Sequence, residues 1–278
     1  MIFENLGLSV WITDSDKNKL PEYKVQETSH HTIECWIPST EGKNFEIHFK
    51  MQRNPHPKYD LAMVPILDGI KLQGDVVHKR EINTGYSDFY NKELVEEATA
   101  RLYVFGRQTL TDSDDYAEPD ESLLENLNTI KFMLEWGRRG RSSRAEFCTP
   151  QEIGPIPETK MKKGHPGAAK LGEAISVPAV SMSYNFKVCD GIQPITFVFR
   201  YAPEDWLRAQ GIVKSDPGAK DHGNIGVKKR AYSTLDVIDV DELETDDEVE
   251  FVKHMVPASI INTSNKRQRT AVPKKEED

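Results

Sequence analysis

The sequence predicts an all-β domain, a β-sandwich or jelly-roll with one short helix, followed by a disordered C-terminal tail. Three observations lead to this prediction. Short runs of β-branched and aromatic residues recur through residues 1–212, bounded by Gly, Pro, Asn and Asp. No long helical patterns alternate with them, as a doubly wound sheet would require. From residue 213 onward Pro, Gly, Lys and Asp dominate, and the aliphatic residues are too few to offset the entropy of ordering the chain.

The first predicted strands alternate apolar and polar residues, which is typical of strands with one face toward water. They cover residues 8–13, 23–25, 32–37 and 45–49, with a polar turn at 14–19. Residues 61–67 form a more continuously apolar strand, in which Pro65 indicates an edge position or a bulge. The Asp68-Gly69 pair that follows favours a tight hairpin turn.

Three further strands are predicted at residues 101–105, 129–136 and 195–201. In the second of these, alternation places one set of side chains on a single face, which we expect to be core: Ile130, Phe132, Leu134 and Trp136. Residues 121–126 suit one helical turn. Residues 203–211 begin with Pro, carry acids in the first turn and end with Gly, which predicts a short capped helix.

Composition excludes several classes of protein. The 278 residues suit one large domain or two small ones. No long apolar window and no secretion signal are present, so a soluble intracellular protein without a membrane partner is expected. The three cysteines, Cys35, Cys148 and Cys189, form no C-x-x-C pair, which argues against a disulfide scaffold or a cysteine-based zinc finger.

The net charge of −9 comes from one segment, because residues 236–250 hold nine acids and no base. The rest of the chain is therefore neutral overall, which argues against a body attracted as a whole to nucleic acid or to an anionic membrane. One local exception is a Gly- and Pro-rich stretch at residues 137–172, with eight basic and three acidic residues. We expect this stretch to be an insertion between strands.

Several motifs follow one another in a characteristic order: Gly7-Leu8-Ser9-Val10-Trp11-Ile12, then Leu20-Pro21-Glu22-Tyr23, Cys35-Trp36-Ile37-Pro38-Ser39, Gly42-Lys43 with Phe45, and Thr129-Ile130 at the start of the Trp136 strand. With these motifs the sequence resembles a fungal, chiefly basidiomycete, family known only as a domain of unknown function. The resemblance covers most of residues 1–212. It implies a β-rich domain that often continues into a charged tail with aliphatic-acidic clusters. It implies no activity and no site residues.

The tail contains an aliphatic core followed by acids: Val237, Ile238, Asp239, Val240, Asp241 and Glu242. Such a segment can form one extended strand that adds to an exposed sheet edge. It resembles the SUMO-interacting motif, in which Val237, Ile238 and Val240 would be the anchors and the acids would fix orientation and raise the association rate. The alternative is an acidic segment that only aids solubility.

A basic cluster lies farther along the tail: Lys266, Arg267, Arg269, Lys274 and Lys275. Clusters of this kind in exposed segments are typical of nuclear import signals or phosphate-binding patches. A solvated terminus is the alternative. Together with a SUMO-type motif, the cluster favours a nuclear over a cytoplasmic protein.

Four arginines in the basic stretch are candidates for nucleic-acid contact: Arg138, Arg139, Arg141 and Arg144. Flexible arginines supply salt-dependent, sequence-tolerant contacts to a phosphate backbone. The stretch has no interleaved aromatic residues for base stacking, and a solvated loop between two strands is the favoured alternative.

Enzyme and metal motifs are missing from the sequence. Residues 14–18 begin like a calcium loop, but Lys19 replaces the required glycine and Val25 the bidentate glutamate. The histidines have no metal-ligand spacing, and no nucleotide-binding or hydrolase motif occurs. We therefore expect no catalytic, cofactor-binding or metal-binding residues. The leading hypothesis is a non-enzymatic nuclear interaction protein; a carbohydrate-binding or hydrolytic β-sandwich, with tryptophans or carboxylates in a groove, is an alternative beside the nucleic-acid module.

Overall fold

The computed structural model describes residues 1–112, 121–147, 149–160 and 165–213. Within them the strands are β1 (Ile2–Phe3), β2 (Leu8–Asp14), β3 (Tyr23–Ser29), β4 (Thr32–Pro38), β5 (Phe45–Met51), β6 (Asp60–Leu67), β7 (Ile70–Lys71), β8 (Asp75–Val77), β9 (Tyr86–Tyr90), β10 (Lys92–Glu96), β11 (Thr99–Arg107), β12 (Leu110–Thr111), β13 (Thr129–Arg144), β14 (Ile156–Pro157), β15 (Gly167–Ser176), β16 (Met182–Val188) and β17 (Ile195–Ala202). The predicted all-β fold is confirmed.

The helices of the described residues are short: α1 (Lys79–Ile82), α2 (Glu121–Asn126) and α3 (Glu204–Ala209), with 3-10 turns at Glu4–Leu6 and Glu158–Lys160. The helical turn expected at 121–126 and the capped helix expected at 203–211 are both present. In α3 the acids Glu204 and Asp205 occupy the first turn, where the helix dipole favours negative charge. None of these helices is long and apolar enough to cross a membrane.

The largest sheet has the strand order β3-β4-β17-β13-β6-β7, with β8 also pairing with β6 and β16 with β13. Strands β4 and β17 run parallel, whereas β13 is antiparallel to both of its neighbours, β6 and β17. Pro65 lies on β6 opposite Phe132, and its carbonyl accepts a hydrogen bond from the Leu72 N–H on the side away from β13. The backbone nitrogen of Pro65, which carries no hydrogen, faces the same outer side as its carbonyl. The β6–β13 ladder therefore loses no hydrogen bond at this position.

Two smaller sheets, β1-β2-β5-β9 and β10-β11-β15, cover the inner face of this large sheet. Aromatic rings join the layers. Phe49 of β5 lies 5.8 Å from Phe132 of β13, and Phe105 of β11 lies 5.4 Å from Tyr201 of β17, measured between ring centroids. The predicted core face of β13 is confirmed, since Ile130, Phe132, Leu134 and Trp136 are at most 1% exposed. Face-to-face burial of alternating residues is the packing expected of a sandwich.

The hairpin predicted at Asp68-Gly69 joins β6 to β7, and both turn residues have positive φ, 48° and 87°. The Asp68 side chain does more than shape the turn. Its buried carboxylate accepts hydrogen bonds from the Thr129 N–H at 3.0 Å, the Ala169 N–H at 2.8 Å and the Tyr201 hydroxyl at 2.7 Å. Through these hydrogen bonds Asp68 links the starts of β13 and β15 to β17.

Residues 137–172 differ from the expected insertion between strands. Strand β13 continues eight residues beyond the predicted end, through residue 144, and β15 occupies residues 167–176 as the partner of β11. The arginines at 138–144 therefore lie on a strand, not in a loop. The apolar alternation ends at Trp136, which predicts the end of the strand there, although hydrogen bonds to β16 continue the ladder.

The predictions for the tail fall outside the described residues. They are the disordered segment itself, the SUMO-type residues Val237 to Glu242 and the basic cluster Lys266 to Lys275.

Candidate functional site: a basic ribbon and an acidic groove

The second half of β13, residues 137–144, pairs with β16 to make a two-stranded structure that we call the basic ribbon. Strand β6 ends its pairing with β13 at Gly137, so the ribbon extends beyond the edge that β6 covers. The register shifts between Arg139 and Ser142, which marks a β-bulge. At Gly137 a Cβ atom would lie 2.2 Å from the Lys187 carbonyl oxygen, so this close approach of the two strands requires glycine.

The ribbon carries the four candidate arginines and Lys187. Arg138, Arg141 and Arg144 are exposed, and Arg139 is half-buried with its guanidinium 4.2 Å from the centre of the Tyr184 ring. In the described part of the chain, the arginines with a carboxylate within 4.0 Å are Arg101, Arg200 and Arg208. The ribbon arginines are thus available to an anionic ligand.

Strand β16 supplies the aromatic residues that the arginine stretch itself lacks. Arg139 is opposite Phe186 and Ser142 is opposite Tyr184 across the ladder. Tyr184 is 45% exposed, and Met182 and Val188 are also exposed. The signal for this strand was present in the sequence, because Met182, Tyr184, Phe186 and Val188 alternate with polar residues.

The remaining basic residues of the stretch do not all join the ribbon. Lys170 lies on β15, where its ammonium group is 3.4 Å from the Arg107 carbonyl oxygen. Lys162 and Lys163 lie outside the described residues. The described basic surface is therefore the ribbon, and the expected patch spanning residues 138–170 is not a single structural unit.

Beneath the ribbon lies a cavity of about 510 Å³, which we call the acidic groove. Its floor is the outer face of the large sheet, where Glu135 is paired with Ala62 and Met133 with Val64. Its lining comes from β6, β8, β9, β10, β13 and the ribbon: Ala62, Val64, Gln73, Gly74, Asp75, Val76, Tyr90, Lys92, Glu93, Leu94, Glu135, Ala145, Phe147, Val180, Met182, Ser183, Tyr184 and Phe186. A space of this size suits a small ligand.

Three carboxylates from three strands line the groove: Asp75, Glu93 and Glu135. Burial raises the pKa of Glu93 to about 7, with a further upward contribution from Asp75, although the Gln73 N–H donates to the carboxylate at 2.6 Å. Asp75 is open to water in the groove, yet the surrounding protein atoms and the charge of Asp88 raise its pKa. Both groups are held where negative charge is unfavourable.

The other sequence candidates are dispersed. Trp136 lies in the core, Trp36 and Trp206 pack together with ring centroids 5.6 Å apart, and Trp11 stacks on His48. None of the four lines the acidic groove. The Asp14 loop is the predicted turn, since its carboxylate accepts the Asp16 and Asn18 N–H groups. The described residues contain no group of three or more His, Cys, Asp or Glu side chains placed to hold a metal ion.

Comparison with known families matches residues 7–216 to a domain of unknown function, DUF7918. The chain belongs to this family. Searches of curated proteins and of solved structures return no match. The DUF7918 match begins one residue before β2 and runs past α3, so it includes both the basic ribbon and the acidic groove.

Proposed function

We propose that this DUF7918 protein is a non-enzymatic binding protein whose basic ribbon contacts single-stranded nucleic acid. The observation that supports the proposal is the juxtaposition, on one two-stranded ribbon, of an exposed tyrosine and arginines that have no carboxylate partner among the described residues. Arginine side chains follow a phosphate backbone, and an exposed aromatic ring stacks on a base.

The two contributions differ in their expected dependence on salt. Each phosphate neutralised by an arginine releases counterions, so the affinity falls steeply with rising salt. Stacking on Tyr184 is largely insensitive to salt and contributes about 1–3 kcal/mol per base. Because the chain outside residues 236–250 is neutral overall, any binding to nucleic acid should depend on the ribbon rather than on the whole surface.

Fluorescence anisotropy with a labelled single-stranded oligonucleotide of about 16 nucleotides tests the proposal over a range of salt concentrations. We expect an R138Q/R141Q/R144Q variant to bind more weakly and to lower the salt slope by about 2. The matched control is K24Q/K43Q/K50Q, which removes the same charge from exposed positions of other strands and turns.

A Y184A variant separates stacking from charge, because it should weaken binding while leaving the salt slope unchanged. If the arginine variant and the lysine control show the same affinity and the same slope, ribbon binding is wrong. If a duplex of the same length binds more tightly than the single strand, the ligand class is wrong.

A second proposed function belongs to the tail, where Val237, Ile238 and Val240 precede a run of acids. We propose that this segment binds SUMO, or a SUMO-modified protein, by adding a strand to its sheet. The acids would orient the strand against a basic rim and raise the association rate. The basic cluster at residues 266–275 would direct the protein to the nucleus.

An amide NMR titration of the isotope-labelled full chain with unlabelled SUMO tests the tail. We expect selective shifts at residues 237–244 and their loss in a V237A/I238A variant. An I260A/I261A variant is the matched control, since it removes two neighbouring aliphatic side chains elsewhere in the tail. A titration without shifts would leave residues 236–250 as a solubilising segment.

A further inference from the structure

The lining of the acidic groove carries more acidic than basic side chains, and the function proposed for the basic ribbon does not involve them. Asp75, Glu93 and Glu135 line it, while the basic residue in the same lining is Lys92. Among the described residues, none of the three carboxylates has a basic side chain within 4.0 Å. Glu93 is buried without a basic partner, and Asp75 and Glu135 add negative charge to the same lining. A ligand that supplies positive charge is therefore favoured.

A buried polar group also faces the groove. Tyr90 is 6% exposed and its hydroxyl has no hydrogen bond of good geometry to a described residue. The hydroxyl lies beside Asp75, where it partly offsets the rise in that pKa. A ligand N–H in the groove would give the exposed Asp75 carboxylate a donor on the side away from the Tyr90 hydroxyl.

Apolar side chains share the lining of the groove with the carboxylates. Val64 and Val76 lie on the sheet side, and Phe147, Met182 and Phe186 lie on the ribbon side. A ligand suited to this groove therefore carries positive charges at intervals, joined by methylene segments that bury against these side chains. Aromatic rings next to ammonium groups add a cation–π attraction.

We propose that the acidic groove binds a linear polyamine, with its ammonium groups at Asp75, Glu93 and Glu135 and its methylene segments against Val64, Met182 and Phe186. Other ligand classes fit less well. A metal ion requires closely grouped oxygen ligands, and the described residues do not provide such a group. A neutral sugar would donate hydroxyl hydrogen bonds but bring no positive charge, and an anion would be repelled.

Binding should be linked to protons. In the free protein Glu93 has a pKa of about 7, and a bound ammonium group favours its ionised form. Cation binding near pH 7 should therefore release protons, and the affinity should fall as the pH drops below 7. Glu93 has Tyr103 behind it and Arg101 opposite it on β11. The other charged and titratable groups in the groove and the adjoining space are Lys71, Asp75, Tyr90, Lys92, Glu135, Arg144, Glu146 and Tyr184.

Isothermal titration calorimetry of the full chain with spermidine, a linear triamine, tests the proposal at low salt. We expect saturable binding, and a loss of about tenfold or more in affinity for E135Q and for E93Q. Titrations in two buffers of different ionisation enthalpy should show proton release for the wild type and none for E93Q. The matched control, E41Q, removes an exposed acid from a turn outside the groove and should bind like the wild type.

Three outcomes would overturn the proposal. The first is the absence of saturable heat from spermidine. The second is an equal affinity in E135Q and E41Q, which would show that the attraction is a general charge effect. The third is equally tight binding of a neutral diol of similar length, because the apolar walls alone would then account for binding. None of these depends on whether the basic ribbon binds nucleic acid.

Discussion

The two halves of strand β13 share one backbone and one sheet but differ in almost every other respect. In the first half, residues 129–136, β17 pairs with residues 129–134 on one side and β6 with residues 130–136 on the other, and alternate side chains are buried. The second half, residues 137–144, is paired by β16 and carries exposed arginines. The comparison shows that a strand ladder can continue where the burial of side chains ends.

The largest expected effect concerns the buried half. Replacing Phe132, which contacts Phe49 and Tyr90 across the core, with alanine should lower the free energy of unfolding by about 3–5 kcal/mol. Arg141→Ala on the same strand should change it by no more than about 0.5 kcal/mol. Urea denaturation of both variants checks the difference. Equal losses would mean that the ribbon is part of the cooperative core.

A smaller change in the free energy of unfolding is expected at Gly137, where the two halves of β13 meet. Gly137→Ala places a methyl group against the Lys187 carbonyl oxygen, and the strain should cost about 1–3 kcal/mol. Hydrogen exchange should show faster amide exchange in residues 138–144 and 182–188, with little change in residues 129–134. Gly154→Ala is the control, because nothing lies within 4 Å of its added Cβ. Uniform loss of protection along β13 would contradict the division into two halves.

The smallest expected change in the free energy of unfolding concerns Glu93 in the acidic groove. Glu93 has a folded-state pKa of about 7 against an ordinary value of 4.5, so the folded protein binds more protons than the unfolded chain between those values. The contribution of Glu93 to the free energy of unfolding should therefore fall as the pH rises from 4.5 to about 7 and stay constant at higher pH.

A neutral glutamine keeps an acceptor for the Gln73 N–H and does not titrate. Glu93→Gln should thus be more stable than the wild type at pH 8, by on the order of 1–2 kcal/mol, and about equal to it at pH 4. Urea denaturation at the two pH values measures the change. An E41Q variant should show no such gain. A gain of equal size at both pH values would mean that the ionisation of Glu93 is not its cause.

Much of the fold was predictable from local pattern. The strands at 8–13, 32–37, 45–49 and 195–201 have counterparts within one or two residues of the predicted bounds, because each alternates side chains between a buried and a wetter face. The Asp68-Gly69 turn was predicted from its dipeptide, since the two residues tolerate positive φ. The helix α3 followed from the acids in its first turn and the Gly211 after its end. Pro203, expected at the first helical position, is the N-cap residue instead.

The candidate sites were predicted less well. Arg138 to Arg144 were identified as candidates from charge alone, but they were assigned to a loop, because no apolar alternation marks that half of β13. The aromatic partners on β16 and the carboxylates of the acidic groove are separated from one another by tens of residues in the chain. No local pattern indicates that Asp75, Glu93 and Glu135 line one cavity.

The sequence by itself predicted the strands β2 to β6, β11, β13 and β17, because side-chain alternation and turn residues act over a few neighbouring positions. It did not predict β8, β9, β10, β15 or β16. It also showed that nine acids without a base are concentrated in residues 236–250 of the tail. Only the tertiary structure decided that β16 pairs with the arginine half of β13 and that three distant acids share a groove. Strand pairing and cavity formation depend on contacts between residues far apart in the chain, and those contacts are selected by the packing of the whole domain.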